Sequence, residues 1–288
     1  MNATCLACHF QKQVETALSL GDEATATIFA RELMESYLSA PAEAASPYFG
    51  PIVAELFEKH YGISENSRYA REKQDSNAFV LSRMEQIRAR VESQEDPVYA
   101  GLQFSILGNY LDFSALKGKV SFEKLEEMLS LGLQMELDRD CYAAMCQDLE
   151  QGERLLYLTD NAGEIGFDRI FAEQIHKKYP HLKIIFCVRG GPALNDATRD
   201  DAQTVGIPFP VIDNGSCYAG TILDKLGPEA REAMGTADVI ISKGMGNVET
   251  LYGCGYNIYY AFLVKCQHFI NLFQKPLMTP MLVKEQTK

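Results

Sequence analysis

The residues of this chain that are best suited to chemistry follow a short apolar stretch near its centre. Residues 155–158 read Leu-Leu-Tyr-Leu, and the chain continues with Thr159, Asp160, Asn161, Ala162, Gly163 and Glu164. A continuous apolar run that ends in polar residues is typical of a buried parallel strand, and ligands of α/β proteins bind where such strands end. Asp160 and Asn161 offer the hard oxygen ligands that hold Mg²⁺ or Mn²⁺. The pattern therefore indicates a metal site, although an ordinary strand-to-helix turn would use the same residues.

A second polar group follows the next apolar run. It begins with Arg189, continues through two glycines, and includes Asn195 and Asp196. The glycines allow the backbone to approach a ligand closely, and Asp196 is well placed to complete the carboxylate ligands of the metal. The alternative is that Asn195 or Asp196 caps the helix that follows, which is the commoner role for such residues.

A third polar group follows the apolar run 239–241. It contains Lys243, Gly244 and Asn247, with a second glycine at position 246. A lysine at a strand end, followed by glycines, provides a positive charge and backbone N–H groups for a phosphate. The spacing fits neither a Walker A loop nor a dinucleotide-binding motif, and alone it also suits a turn with a solvated lysine. Together, three such groups on one sheet edge indicate metal-assisted phosphoryl transfer or hydrolysis.

A fourth polar group lies at the end of a helical stretch in the first half. Leu102, Ile106 and Asn109 share one face of that helix, so Asn109 is expected to point inward, and Asp112 follows it closely. A buried asparagine must be hydrogen-bonded. Asn109 would therefore either tie the helices to the sheet or reach into the site together with Asp112.

The amino terminus carries the sequence Cys5-Leu6-Ala7-Cys8-His9. The pattern matches the attachment site of c-type haem, but haem attachment occurs in exported proteins and no export signal is visible. A structural zinc site needs two further ligands. Those ligands would have to come from Cys254, Cys266 or His268, if the fold brings the ends of the chain together. A second metal site, a redox pair and two small buried residues in a helical turn all stay open for Cys5 and Cys8.

The second half of the chain alternates between strand and helix patterns. The predicted strands are Arg154–Thr159, Lys183–Val188, Phe209–Ile212, Val239–Ser242 and Ile258–Val264. The predicted helical segments between them are Phe167–Lys178, Asp200–Val205, Thr221–Lys225 and Pro228–Met234. This alternation predicts an α/β fold with a mostly parallel sheet and helices on both faces.

The first half shows helical periodicity instead. One apolar stripe runs through Ala30, Leu33, Met34, Tyr37 and Leu38, and another through Val80, Met84, Ile87 and Val91. A short helix is expected around Ile52 to His60, and a long helix is expected to begin after Ser121. We therefore predict an all-helical domain over residues 1–150 and an α/β domain over residues 151–288, with the boundary in a long helix before Gly152.

Composition narrows the classes of function. The net charge is −12, which argues against a surface for nucleic acid or anionic membranes. A small anionic substrate still fits, because a bound metal inverts the local charge. No apolar segment has the length of a membrane span, and the amino terminus lacks the pattern of a signal peptide. We therefore expect a cytoplasmic protein whose eight cysteines are mostly reduced thiols or ligands. No pattern indicates an oligomeric state.

These groups, taken in order, resemble the damage-control phosphatase family, formerly a domain of unknown function numbered 89. The resemblance covers nearly the whole chain. The residues that carry it are Cys5-x-x-Cys8, Gly108-Asn109-x-Leu111-Asp112, Asp160-Asn161-Ala162-Gly163-Glu164, Asn195-Asp196-Ala197-Thr198, Lys243-Gly244-x-Gly246-Asn247-x-Glu249 and Lys265-Cys266. The paired cysteines are similar to those of the prokaryotic subgroup.

The resemblance implies a helical amino-terminal part on a Rossmann-like domain. It also implies hydrolysis of small phosphomonoesters, such as sugar phosphates or damaged phosphometabolites, with Mn²⁺, Mg²⁺, Co²⁺ or Ni²⁺. The implied metal ligands and catalytic residues are Asp160, Asn161 and Asp196, and the implied phosphate-binding lysine is Lys243. We expect further phosphate or substrate contacts from Gly163, Gly244, Asn247, Glu164, Asn109 and Asp112. Two positions depart from the family pattern: Met245 replaces a usual Gln, and Arg189 stands where a Lys is often found.

A water molecule activated by the metal is the expected nucleophile. The rival is direct attack by Asp160, which gives an aspartyl-phosphate, but the acid that usually follows two residues later is replaced by Ala162. Two other classes of function remain open. One is a carboxyl methyltransferase, although the glycine-rich loop typical of such enzymes is missing after the first strand. The other is a metal-dependent protein that binds phosphorylated metabolites without turnover.

Overall fold

The structure, a computed structural model, describes residues 1–109 and 132–285. Asp112 and the helix predicted after Ser121 lie outside the described residues. The first part of the chain is helical. Its helices are α1 (Ala3–Leu20), α2 (Glu23–Ser39), α3 (Gly50–Tyr61), α4 (Glu65–Leu81), α5 (Met84–Glu92), α6 (Pro97–Gly108) and α7 (Arg139–Gln151). A polar residue with an oxygen precedes most of them and accepts a backbone N–H of the first turn, and these caps are Asn2, Asp22, Ser64, Asp96 and Asp138.

The second part of the chain forms a six-stranded sheet with helices between the strands. The strands are β1 (Arg154–Leu158), β2 (Lys183–Val188), β3 (Val211–Asp213), β4 (Val239–Lys243), β5 (Ile258–Leu263) and β6 (Pro280–Lys284). The helices are α8 (Glu164–Lys178), α9 (Arg199–Thr204), α10 (Pro228–Thr236), α11 (Gly244–Leu251) and α12 (Gln267–Phe273). The strand order is β3-β2-β1-β4-β5-β6, and only β6 pairs antiparallel, with β5. The predicted α/β class with a mostly parallel sheet is confirmed.

Both faces of the sheet are buried, as parallel sheets require. One face presents Tyr157, Phe186 and Ile241 to α4–α9, and the other presents Leu156 and Ile240 to α10–α12. Because successive side chains of a strand point to opposite faces, an uninterrupted apolar strand fills both layers. This explains why the strand signals were continuous apolar runs and not alternating ones.

The sheet order places β1 at the centre, with β2 and β4 on either side of it. The chain reverses its direction of travel across the sheet at β1, and crevices open at the carboxyl ends of the strands at such a point. The three polar groups of the sequence follow β1, β2 and β4. The topology therefore brings all three to one edge of the sheet.

The helical part packs in two different ways. Helices α1–α3 form an apolar cluster of their own around Phe29, Leu33 and Phe57. Helices α4–α7, in contrast, contribute Val80, Leu102 and others to the apolar layer on one face of the sheet. The division into domains at residue 150 stays a prediction. None of the described helices has the length and apolarity to cross a bilayer.

Several elements differ from the sequence-based expectations. Strand β6 was not predicted, because it lies at the sheet edge, begins with Pro280 and buries only Leu282 fully. The segment Thr221–Lys225 holds only a short 3-10 turn, Leu223–Lys225. The stripe from Val80 to Val91 spans two helices, α4 and α5, and not one. Finally, the glycine-rich group after β4 forms helix α11 directly and not a loop.

Candidate metal and phosphate site

The loops after β1 and β2 lie against each other at the carboxyl edge of the sheet. Asn161 and Asp196 form an isolated antiparallel bridge. The backbone N–H of Ala197 donates to the carbonyl of Asp160 at 2.7 Å. These backbone contacts bring Asp160, Asn161 and Asp196 side by side, although Asp160 and Asp196 are 36 residues apart in sequence. Their function as metal ligands stays a prediction.

The carboxylate of Asp160 is held from one side by two amides. Its Oδ2 atom accepts hydrogen bonds from Asn109 Nδ2 at 2.9 Å and from Asn161 Nδ2 at 2.8 Å. Its Oδ1 atom lies 3.9 Å from Nη2 of Arg189. Since Oδ2 is occupied by donors, Oδ1 is the oxygen that is left to meet a ligand. Asn109, at the end of α6, therefore reaches into the site. The sequence offered this role beside that of tying the helices to the sheet.

The electrostatic environment of Asp160 disfavours its ionised form. Burial is the main cause that raises its pKa well above the usual value, and the nearby carboxylates of Asp196 and Glu164 raise it further. The cations Lys265 and Arg189 oppose this shift. Crowded carboxylates of this kind are stabilised when a cation binds between them.

The donor set fits a small, hard divalent cation. Both amide hydrogens of Asn161 point to carboxylates, at Asp160 Oδ2 and at Glu164 Oε2, so its carbonyl oxygen faces the other way. With Asp160 and Asp196, this gives oxygen ligands only, the kind that Mg²⁺ and Mn²⁺ prefer. Within residues 1–109 and 132–285, no group of three or more His, Cys, Asp or Glu side chains is arranged to hold a metal. A site of two carboxylates and one amide leaves half of an octahedral coordination shell to water and substrate.

Lys243 is fully buried and lies between two acids. Its ammonium donates to Glu164 Oε1 at 2.6 Å, to Asp168 Oδ1 at 2.8 Å and to the carbonyl of Ser105 at 2.8 Å. Burial alone would lower its pKa, but Asp168 and Glu164 raise it above the usual value. The lysine predicted to hold phosphate therefore has protein acceptors for all three of its hydrogens.

Asp168 belongs to this cluster and was not identified from the sequence. It also accepts hydrogen bonds from Ser105 Oγ at 2.7 Å and Tyr157 Oη at 2.9 Å. Burial raises its pKa to about 6, although Lys243 counteracts the shift. A signal existed, because Asp168 lies four residues after Glu164 and therefore on the same face of α8. The remaining Glu164 oxygen, Oε2, accepts the amides of Asn109 and Asn161.

Arg189 connects the site to the loop after β3 and to helix α11. Its Nε donates to Asp196 Oδ2 at 2.6 Å. Its Nη1 donates to the carbonyl of Gly220 at 3.1 Å and to Asn247 Oδ1 at 3.2 Å. The side chain is 2% exposed. In the sequence, Arg189 is only a departure from the family pattern, and no local signal indicates its contact with Asp196.

Asn247 is also fully buried. Its amide donates to the carbonyls of Thr159 and Lys243, at 3.1 and 2.7 Å, and so joins the ends of β1 and β4. Its carbonyl oxygen accepts from Thr221 Oγ1 at 2.8 Å as well as from Arg189. The side chain of Asn247 therefore bonds other parts of the protein and supports the site structurally.

Two glycines shape the site because their backbone has positive φ. Gly163 (φ 76°) precedes α8, and its N–H donates to Asn77 Oδ1 at 2.7 Å. Gly244 (φ 75°) begins α11, and a Cβ atom there would overlap the carboxylate of Asp160. The amino termini of α8 and α11 therefore both adjoin the Asp160 loop. Helix amino termini carry partial positive charge, which favours a bound anion.

Gly244→Ala is expected to lower activity at least about tenfold, because a β-carbon displaces Asp160 from its position. Positive φ itself adds about 1–2 kcal/mol of strain to an alanine. Gly253→Ala is the matched control, since Gly253 has φ 90° and open space around its missing Cβ. Urea unfolding and kinetic assays of both variants separate the two effects. Equal activity in the two variants would show that Asp160 does not need its observed position.

The two amino-terminal cysteines lie near the segment that follows β5, around Cys266. Asn2, which caps α1, hydrogen-bonds His268 near the start of α12 at 2.9 Å. The thiol of Cys5 lies within electrostatic range of Cys8, Cys266 and Glu249, and burial is the main cause that raises its pKa to about 11. The fold thus brings the two ends of the chain together. All eight cysteines are described and none forms a disulfide. A second metal or redox role for Cys5 and Cys8 stays a prediction.

Glu249 on α11 makes the free energy of unfolding of the protein depend on pH. Burial raises its pKa from 4.5 to about 7, with partial compensation by a hydrogen bond from the backbone of Ser46. The unfolded chain therefore ionises first, and Glu249 makes the fold less stable as pH rises from about 4.5 to about 7. Glu249→Gln is expected to raise the free energy of unfolding by about 1–3 kcal/mol at pH 8 and by much less at pH 4.5.

Urea titrations at the two pH values measure this difference. The exposed Glu232 on α10 is the control position, and Glu232→Gln should leave both values unchanged. A gain for Glu249→Gln that is equal at both pH values would contradict the assignment.

Comparisons with known proteins agree with this architecture. Residues 1–279 match the model of the damage-control phosphatase ARMT1-like domain. An uncharacterized protein of Methanocaldococcus jannaschii is 32% identical over 276 residues, which cover 91% of this chain and 88% of that protein. A protein of Archaeoglobus fulgidus named damage-control phosphatase is 31% identical over 223 residues, covering 76% of this chain and 74% of that protein.

Two matches come from Pyrococcus horikoshii. A protein named damage-control phosphatase is 36% identical over 152 residues, covering 52% of each chain. A crystal structure of a family protein from the same organism superimposes with a TM-score of 0.83 at 26% identity and covers 99% of both chains. With a family model that matches nearly the whole sequence, and with relatives above 30% identity over most of it, the chain belongs to the damage-control phosphatase family.

Proposed function

We propose that this protein is a metal-dependent phosphatase that hydrolyses small phosphomonoesters, such as sugar phosphates or damaged phosphometabolites. The names of its relatives support phosphatase chemistry in general. The observation that carries the finer proposal is the convergence of Asp160, Asn161 and Asp196 at the carboxyl end of β1. A hard-cation site beside a buried arginine and two helix amino termini suits a phosphate group.

Asp160, Asn161 and Asp196 would hold the ion. When bound, a divalent ion such as Mn²⁺, Mg²⁺, Co²⁺ or Ni²⁺ supplies charge for the phosphate oxygens and activates a water molecule. The amides of Asn109 and Asn161 keep Asp160 Oδ2 occupied, so that Oδ1 faces the ligand. Glu164 orients both amides through its Oε2 atom.

In the proposed reaction, water attacks phosphorus in line with the ester oxygen. The P–O bond to the alcohol breaks, the alcohol leaves with a proton, and inorganic phosphate is released. Water is preferred over Asp160 as the nucleophile because Ala162 occupies the place of the acid that would protonate the leaving group. Asp160 also has one oxygen committed to two amide donors.

The test is release of inorganic phosphate by purified protein that has been stripped with a chelator. We expect no turnover of p-nitrophenyl phosphate or of a panel of sugar phosphates until one of the four divalent ions is added. Calorimetry with Mn²⁺ on the same sample reports ion binding independently of turnover. Ion binding without turnover of any phosphoester would favour a non-catalytic binding protein, and turnover in excess chelator would refute metal dependence.

A further inference from the structure

We propose that Arg189, and not Lys243, provides the side chain that contacts the phosphate group of the substrate. This inference rests on the proposed phosphatase function and deepens it. It assigns the phosphate contact to a residue whose guanidinium lies beside both of the acids that would hold the ion.

Lys243 has no donor to offer. Its three hydrogens meet acceptors at 2.6–2.8 Å, and the side chain is 0% exposed. A phosphate oxygen could reach the ammonium only by displacing Glu164 or Asp168. That would bring a dianion next to two buried carboxylates, which like-charge repulsion strongly disfavours. The lysine instead neutralises Asp168 and Glu164, and Glu164 orients Asn109 and Asn161.

Arg189 has donors left. An arginine has five N–H groups, and three of them are used, by Asp196, Gly220 and Asn247. The two hydrogens of Nη2 have no hydrogen-bond acceptor within residues 1–109 and 132–285, although the atom is buried. A buried charged donor without a partner is rare in folded proteins and needs an explanation. A ligand oxygen is the simplest partner for it.

The position of Nη2 is the one that a phosphate requires. It lies 3.9 Å from Asp160 Oδ1, while Nε of the same guanidinium bonds Asp196. The unpaired donor therefore borders the oxygen that Asp160 presents to a ligand. A phosphate bound at these acids through a cation would place an oxygen within reach of the arginine. Planar guanidinium groups recognise phosphate well because their donors match its oxygens.

The net charge of the site also supports the assignment of the phosphate contact to Arg189. Around the site, ionised Asp160, Asp196, Glu164 and Asp168 carry four negative charges, and Arg189, Lys243 and Lys265 carry three positive ones. A divalent ion adds two positive charges, which leaves one positive charge in excess. The loaded site is therefore net positive and attracts an anion.

The inference is tested by calorimetric titration of inorganic phosphate into the chain saturated with Mn²⁺. Compared with the wild type, Arg189→Gln is expected to weaken phosphate binding by at least about tenfold, the range for losing one charge-assisted hydrogen bond. Arg189→Lys keeps the charge and should lose less, about threefold. Arg199→Gln is the matched control, because Arg199 is half-exposed on α9 and pairs with Asp213.

The affinity for Mn²⁺ distinguishes contact from positioning. If Arg189 bonds the phosphate, Arg189→Gln leaves Mn²⁺ affinity unchanged or tightens it, because a competing cation has been removed. If Arg189 only orients Asp196, Mn²⁺ affinity falls in parallel with phosphate affinity, and the inference is overturned. Phosphate binding of wild-type strength in Arg189→Gln overturns it as well. If Arg189→Gln does not fold, the phosphate titration of Arg189→Lys alone tests the inference. A phosphate affinity of Arg189→Lys equal to that of the wild type would then overturn the inference.

The outcome also separates this inference from the proposed function. If the wild type turns over phosphoesters and Arg189→Gln shows unchanged phosphate affinity and KM, the function stands and the inference fails. If the wild type binds inorganic phosphate through Arg189 but hydrolyses nothing, the inference stands and the phosphatase proposal fails. Absence of any phosphate binding to the Mn²⁺-saturated wild type refutes the inference directly.

Discussion

Asp160→Asn is expected to lower phosphomonoester hydrolysis by about a hundred- to a thousandfold, the effect of removing a central electrostatic group from an active site. The variant replaces the Oδ1 carboxylate oxygen by a neutral group at the atom that faces the proposed ion. Oδ2 is less affected, because an amide oxygen still accepts from Asn109 and Asn161. Assays at saturating Mn²⁺ and calorimetry of Mn²⁺ binding measure the loss.

The same substitution is expected not to destabilise the fold in the absence of metal. The pKa of Asp160 is raised in the folded chain by burial and by Asp196 and Glu164. A carboxyl group with a raised pKa stabilises the fold at low pH and penalises it once pH exceeds the unfolded value. An uncharged asparagine avoids that penalty at pH 8. Urea unfolding in excess chelator should therefore give an equal or higher free energy of unfolding than the wild type.

Asp200→Asn is the matched control for this prediction. Asp200 is exposed at the start of α9, four residues after Asp196, and carries the same charge. Its replacement should change neither turnover nor Mn²⁺ affinity. Near-normal turnover by Asp160→Asn in Mn²⁺ would contradict both the metal site and the proposed reaction. A large loss of stability without metal would instead mean that the carboxylate is needed for folding.

The sheet was predictable because its strands are buried on both faces. β1, β2, β4 and β5 appear in the sequence as uninterrupted apolar runs of the right length, and their predicted bounds differ from the observed ones by one residue at most. β6 carries no such signal, since only Leu282 of its five residues is fully buried. Helix α11 was missed because three of its first four residues, Gly244, Gly246 and Asn247, have low helix propensity. Burial of Val248 and Leu251 against the sheet overrides that preference.

The convergence of Asp160, Asn161 and Asp196 was predictable for a related reason. Parallel strands that alternate with helices must end at one edge, so polar residues after neighbouring strands meet there. No local pattern could show which partner each charged side chain takes. Lys243 finds Glu164 and Asp168 at sequence separations of 79 and 75 residues. Its burial depends on how α6 and α8 pack over the sheet, which periodicity does not reveal.

Lys243→Met is expected to destabilise the fold by about 3–5 kcal/mol, because removing one partner of a buried ion pair leaves an uncompensated charge. Here two acids, Glu164 and Asp168, are 0% exposed and would lose their common counterion. Lys284→Met is the control: Lys284 bonds Asp148 at 2.8 Å but is partly exposed, and such pairs contribute about 1 kcal/mol or less. Urea unfolding at pH 7 compares the two variants.

Neutralising the whole cluster provides the decisive comparison. Glu164→Gln, Asp168→Asn and Lys243→Met together remove the three charges of this cluster, so we expect the triple variant to recover at least about half of the lost stability. If it is no more stable than Lys243→Met alone, the lysine acts through packing and not through charge. Lys243→Met leaves Glu164 and Asp168 without their counterion and therefore destabilises the fold. A loss of activity in this variant is thus no evidence that Lys243 contacts phosphate. Binding of inorganic phosphate to folded Arg189 variants is the measurement that assigns that contact.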